Sequence, residues 1–165
     1  MKKLLLMLML MIPMSIFAQK FGVVDLDAVA QVLPEYAAAQ TELKNLNDQD
    51  QKDLKSMQTE IQRKYDEYQK SASTMNATAK EAKEKELQDL GDKYQQTAQQ
   101  KSQDFQKAQQ AKLAPIQAKV SQVIEKVGKE GAYTSIFLKG SMPYISATLV
   151  KDITPLCKVE VLKLK

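Results

Sequence analysis

Catalysis needs a nucleophile, a base or a set of metal ligands brought together, and few of the 165 residues can supply one. There is no His, and Cys157 is the only Cys. Ser-His-Asp and Cys-His systems, His-ligated zinc and imidazole acid–base chemistry are therefore excluded, as are CxxC redox and Cys-rich zinc sites. Close carboxylate pairs remain, such as Asp25 with Asp27 and Glu84 with Glu86. On a helix such an i,i+2 pair points to different faces. On a strand it shares a face, but no nucleophile or metal cluster supports it here. Both pairs read as caps and solvated charges, with Asp27 expected to cap a helix. Asn76-Ala77-Thr78 fits a glycosylation sequon and equally fits a loop tip, and there is no GxxxxGK[ST] phosphate loop. The expectation is a protein that is not an enzyme, with no catalytic residues, no cofactor and no metal. Cys157 is expected as a buried small apolar residue.

The charges show where the elements lie. Lys plus Arg total 24 against 20 Asp plus Glu, giving +4. Two of those charges, Lys2 and Lys3, open MKKLLLMLMLMIPMSIFA, a basic start, a short apolar run and small residues at the end. This is the pattern of a signal peptide cleaved after Ala18, and its apolar run falls short of the roughly 20 residues of a membrane span. Export to the periplasm is the expectation. Five of the eight Met lie in that segment, which leaves no Met-rich binding face. The remaining +2 makes nucleic acid a poor partner.

Residues 20–26, KFGVVDL, read as a strand, and Pro34 as a helix break or first-turn residue. From Glu35 to Leu113 there is no Pro and one Gly, Gly91, in a chain dominated by Gln, Lys, Glu, Asp and Ala. That is the composition of long exposed helices. The exception is SASTMNAT at 71–78, where Ser, Thr and Asn favour a turn.

Before the turn, apolar residues fall at Leu43, Leu46, Leu54, Met57, Ile61, Tyr65, Tyr68 and Ala72, with Asp50 as the polar exception. After it come Leu87, Leu90, Tyr94, Ala98 and Phe105. Intervals of eleven recur (43, 54, 65; 46, 57, 68; 94, 105, 116), or 3.67 residues per turn. Paired helices should then run nearly straight or with slight right-handed supercoil. The stripe suffices to join two helices and little more, so the seam residues are expected to hold a long antiparallel hairpin together. Its arms, 35–71 and 78–114, are 37 residues each, roughly 55 Å at 1.5 Å per residue. Lys70, Met75 and Lys80 are the candidate contact residues at its tip.

Beyond Pro115 a stronger apolar face, Ile116, Val120, Val123, Ile124 and Val127, ends at Gly128 and Gly131 and belongs to a core helix. YTSIFL (133–138) and YISATL (144–149) read as strands around a KGSMP turn. Thr154-Pro155 reads as a cap and first-turn proline, and alternation over 159–164 leaves the C-terminal segment as helix or strand. The organisation expected is a signal peptide (1–18), a body (19–34 with 115–165) and an arm (35–114, tip near 71–78). The fold class is α+β and predominantly helical. A body this small, with open strand edges, is expected to complete its sheet with other subunits. Val23, Val24, Ile136, Leu138 and Ile145 are the candidates for that oligomer core.

Three stretches carry a resemblance: FGVVDLDAVAQVLPEYAAAQTEL (21–43), LAPIQAKVSQVIEKVGKEGAY (113–133) and KDIT (151–154). Set in this order around a charged, Gln-rich hairpin behind a signal peptide, they make the chain similar to the Skp (OmpH-like) family of periplasmic chaperones. The resemblance implies a homotrimer on a small β-body. Its three helical tentacles would enclose a cavity for unfolded outer-membrane β-barrel proteins. The arms depart from the family's basic character: residues 36–114 hold 13 basic and 13 acidic residues, while 115–165 hold 8 and 4. Neutral arms give no support for electrostatic contact with membrane or lipopolysaccharide. The expected function is an ATP-independent holdase; the alternative is a structural coiled-coil spacer or adaptor of the envelope that recognises a folded partner.

Overall fold

The computed structural model of the chain describes residues 19–164; the expected signal peptide lies outside the described residues. In chain order the elements are β1 (Phe21–Val24), α1 (Leu26–Ala30), α2 (Pro34–Ser71), α3 (Ala77–Glu130), β2 (Ser135–Leu138), β3 (Val150–Asp152) and α4 (Thr154–Val161). Helices dominate, with one small sheet beside them.

The sheet is parallel, in the order β2-β1-β3, with Phe21 opposite Ser135 and Val150, and Gly22 opposite Ile136 and Lys151. Side chains alternate along a strand, so Gly22, Val24 and Ile136 share one face and Phe21, Val23 and Phe137 the other. The first face carries the core. Val24, Val29, Val123, Ile153, Cys157 and Val161 are fully buried, and Leu33, Ala39, Ile116, Val120 and Val127 nearly so. Gly22 lets the central strand approach its neighbours: a Cβ there would lie 3.2 Å from the Tyr133 ring and 3.4 Å from both Ile136 and Ile153.

Helix boundaries follow from caps. The first strand ends at Val24, so Asp25, not Asp27, caps α1, its Oδ1 accepting the Ala28 N–H at 2.9 Å. That N–H bond holds the Asp25 carboxyl below the usual range. Pro34 opens α2, where the missing N–H costs nothing. Asn76 caps α3 through an Oδ1 bond to the Ala79 N–H at 2.8 Å, which accounts for the Asn of the sequon-like triplet. Pro115 lies within α3, which runs on as one helix of 54 residues from the arm into the core.

One strand assignment needs correction, and one open choice is decided. Residues 144–149 form no strand; Tyr144 and Leu149 are among the most exposed apolar residues, and the third strand is Val150–Asp152. The β-rich composition of YISATL has no partner strand to pair with at that place. The C-terminal segment is helix through Val161, because Ile153, Cys157 and Val161, four apart, fill the core beneath the sheet. Thr154 is its first helical residue rather than its cap. Asp152 Oδ1 takes the Thr154 N–H at 2.8 Å, and the Thr154 hydroxyl accepts the Asp25 N–H at 2.9 Å.

Candidate functional site

The two long helices lie side by side, and residue numbers rise along one as they fall along the other. Glu35 meets Lys119 (2.7 Å), Glu42 meets Lys112, Asp50 meets Lys101 (2.5 Å) and Lys64 meets Glu86. Between these contacts Gln58 donates to Tyr94 Oη at 2.7 Å, and Tyr68 Oη donates to Glu84 at 2.5 Å.

Of the seam candidates, Leu43 is buried. Leu46, Leu54, Met57, Ile61, Tyr68, Leu87, Leu90, Tyr94 and Phe105 are partly buried. Tyr65 is a departure: it is 44% exposed, and its Oη accepts from Gln69 at 2.8 Å. The inward place is taken by Lys64, whose ammonium bridges to Glu86.

The sequence pattern marks Asp50 as the polar exception in the seam but misses its partner, Lys101. Asp50 belongs with Ala39 and Ile61 in an eleven-residue series, and Lys101 with Leu90, Lys112 and Val123 in the matching series of α3. They meet as an ion pair whose side chains are 16% and 23% exposed, with Asp53 accepting a second bond from Lys101 at 2.8 Å. The two carboxylates raise the Lys101 pKa. The eleven-residue interval, applied to charged residues as well as apolar ones, would have found this pair. Further out, hydrogen bonds from Lys64 and Lys83 pull the Glu86 carboxyl down to about 2. The outward faces carry ladders such as Lys44–Asp48 (2.5 Å) and Arg63–Glu60 (2.6 Å). Such ladders favour helix without leaving an apolar surface.

At the tip Lys70 and Lys80 are exposed and Met75 partly buried. In the body, Val24 is wholly committed to its own subunit's core, so it is not free to form an oligomer core. Ile136 packs against the same core. Val23 and Ile145 are partly buried, and Leu138 is 43% exposed. The outer sheet face instead offers Phe21 stacked on Phe137, ring centroids 5.9 Å apart, and the segment between β2 and β3 leaves Met142, Tyr144 and Leu149 exposed. Val23 shares that face with Phe21 and Phe137, whereas Leu138, opposite Val24, lies on the core face at the sheet edge; of the outer-face residues sequence reasoning named only Val23.

Among the described residues no group of three or more His, Cys, Asp or Glu is placed to hold a metal ion. Nor is any described helix long and apolar enough to cross a membrane. The arrangement offers a long, charge-covered helical pair and an apolar sheet face.

Comparison with known proteins fits that geometry. The family described as Outer membrane protein (OmpH-like) matches residues 20–160. No curated protein matches the chain. Among solved structures, a candidate outer membrane chaperone (OmpH-like) from Caulobacter crescentus CB15 superposes with a TM-score of 0.69 at 14% identity. The alignment covers 87% of this chain and 83% of that one, a likeness of fold.

Proposed function

The chain belongs to the OmpH-like outer membrane protein family, and from that premise we propose that it is an ATP-independent periplasmic holdase for unfolded outer-membrane β-barrel proteins. The observation that carries this reading is the helical pair itself. Its modest apolar stripe is spent on joining α2 to α3, and what it presents outward is alternating charge, Gln amides and the methylene stems of Lys. Such a surface makes many weak, adaptable contacts with an unfolded chain and has no sticky patch through which to self-associate. The antiparallel arm of 35–114 projects from the body of 19–34 and 115–165, and three subunits join through the outer sheet face. Phe21, Val23 and Phe137 lie at the centre of that contact. The arms then bound a cavity, and release follows when the client folds into its membrane. The acid–base composition assigns no chemistry of its own to the protein.

The test is dilution of a urea-denatured outer-membrane barrel protein into buffer containing the chain from Gln19 onward. Light scattering should be suppressed at stoichiometric amounts, and sedimentation should give a trimer. Unchanged scattering would refute the holdase reading and leave the envelope spacer.

A further inference from the structure

The C-terminal helix is apolar on both sides. Ile153, Cys157 and Val161 are fully buried, while Leu156, Val159 and Leu162 are 48%, 59% and 59% exposed. Lys158 and Glu160 give α4 a polar flank, yet the side that carries Leu156 and Val159 is left uncovered. Beside it lies a groove of about 350 Å³, walled by Val127, Tyr133, Leu156 and Val159 and rimmed by Lys20, Lys151 and Lys163 together with Glu130 and Glu160.

The charge at this rim is only partly answered. Glu160 is held by Lys126 and by Lys163 at 2.8 Å, and Glu130 lies 4.0 Å from Lys126. Lys20 donates to the Gly131 carbonyl at 2.7 Å and sits 4.2 Å from the centroid of the Tyr133 ring. Neither contact neutralises it. Lys151 is exposed and, among the described residues, forms no ion pair. Gly22 stands opposite Lys151 across the ladder, and alternation puts Lys20, two residues earlier, on that same face. Two cations without carboxylate partners thus flank an apolar groove.

We propose that this groove docks a short peptide segment in which a carboxylate adjoins a large apolar side chain. The side chain lies on Val127, Leu156 and Val159, and the carboxylate sits between Lys20 and Lys151. The concave shape suits one or two side chains rather than a flat lipid surface. Charge complementarity selects an acidic partner and sets its orientation. The site is on the opposite side of the sheet from Phe21, Val23 and Phe137 and away from the arms, so it does not depend on the holdase reading.

The experiment is fluorescence anisotropy on the chain from Gln19 with a panel of labelled hexapeptides, each placing Leu, Ile or Phe beside Asp or Glu, and their Asn or Gln counterparts. Acidic peptides should bind saturably, and amide counterparts about tenfold more weakly, the size of one charge-assisted hydrogen bond. Lys151→Glu should weaken binding at least as much, Val159→Asp should abolish it, and Lys85→Glu on the arm should leave it unchanged. Val159 is exposed, so its replacement spares the core. No saturable binding, equal binding of acid and amide peptides, or loss in the Lys85 variant overturns the proposal. Two other results also overturn it: Val159-dependent binding only to phosphatidylethanolamine–phosphatidylglycerol vesicles, and a changed oligomeric state in Val159→Asp, which would assign the face to a second copy.

Discussion

Replacing Gly91 with Ala should stiffen the arm. Gly91 is partly buried in the interior of α3, bracketed by the contacts of Glu86 with Lys64 and of Tyr94 with Gln58. A Cβ built there meets nothing within 4 Å, so no neighbour requires the glycine. What remains is its backbone freedom, which in a helix interior costs about 1 kcal/mol relative to Ala. Gly91→Ala should return that amount, making local opening of the arm about fivefold rarer. Hydrogen exchange reads this directly: amides flanking residue 91 should exchange up to about fivefold more slowly, while those of the sheet and α4 keep their rates. Faster exchange, or a loss of helical signal, would mean that the gap beside Gly91 is needed by the packing and that the propensity argument fails. If clients are held by pliant arms, the same variant should also suppress aggregation less well, and that readout is separate from the exchange measurement.

Two further outcomes follow from ionisation. The Glu86 carboxyl is pulled from 4.5 to about 2 by Lys64 and Lys83, so its stabilising contribution is complete above about pH 4.5 and disappears as pH falls toward 2. Circular dichroism should show the arm unchanged from pH 8 to 5 and weakening below that, with a shallower acid slope in Glu86→Gln; an identical slope would refute the assignment. Burial pushes the Cys157 thiol up to about 11. At pH 8 it should resist a thiol reagent in the folded protein and react once in denaturant, whereas rapid labelling of the folded chain would contradict its place in the core.

The helical part of this fold was legible because it depends on local pattern. The Ser/Thr/Asn turn separates α2 from α3 at Ser71 and Ala77, as composition suggests, and the eleven-residue interval identifies most residues between the helices. The sheet was less so. Three short parallel strands are joined by pairings far apart in sequence, and YISATL has the composition of a strand without a neighbour to make it one. Similarly, 159–164 alternates like a strand, but the need to bury Ile153, Cys157 and Val161 together makes the segment helix through Val161. Tertiary partners decided these elements, and no window of sequence contains them. Lys20 and Lys151 were invisible for the same reason: they become neighbours only through the ladder.

The polar pair in the seam explains how so thin an apolar stripe can hold one alignment. An eleven-residue pattern is nearly satisfied again when one helix slides by eleven. One such slip sets Asp50 against Lys112 but Lys101 against Ile61; the other sets Asp50 against Leu90 and Lys101 against Ala39. Either way at least one charge faces an apolar residue in the seam, where it is poorly hydrated and unpaired. A partly buried ion pair adds little to stability compared with an apolar pair of the same size, but its loss in every misaligned state penalises those states. Asp50 and Lys101 thus act chiefly on alignment, as a lone polar residue does in a coiled coil. A helical pair that opened locally would therefore close again in the same register.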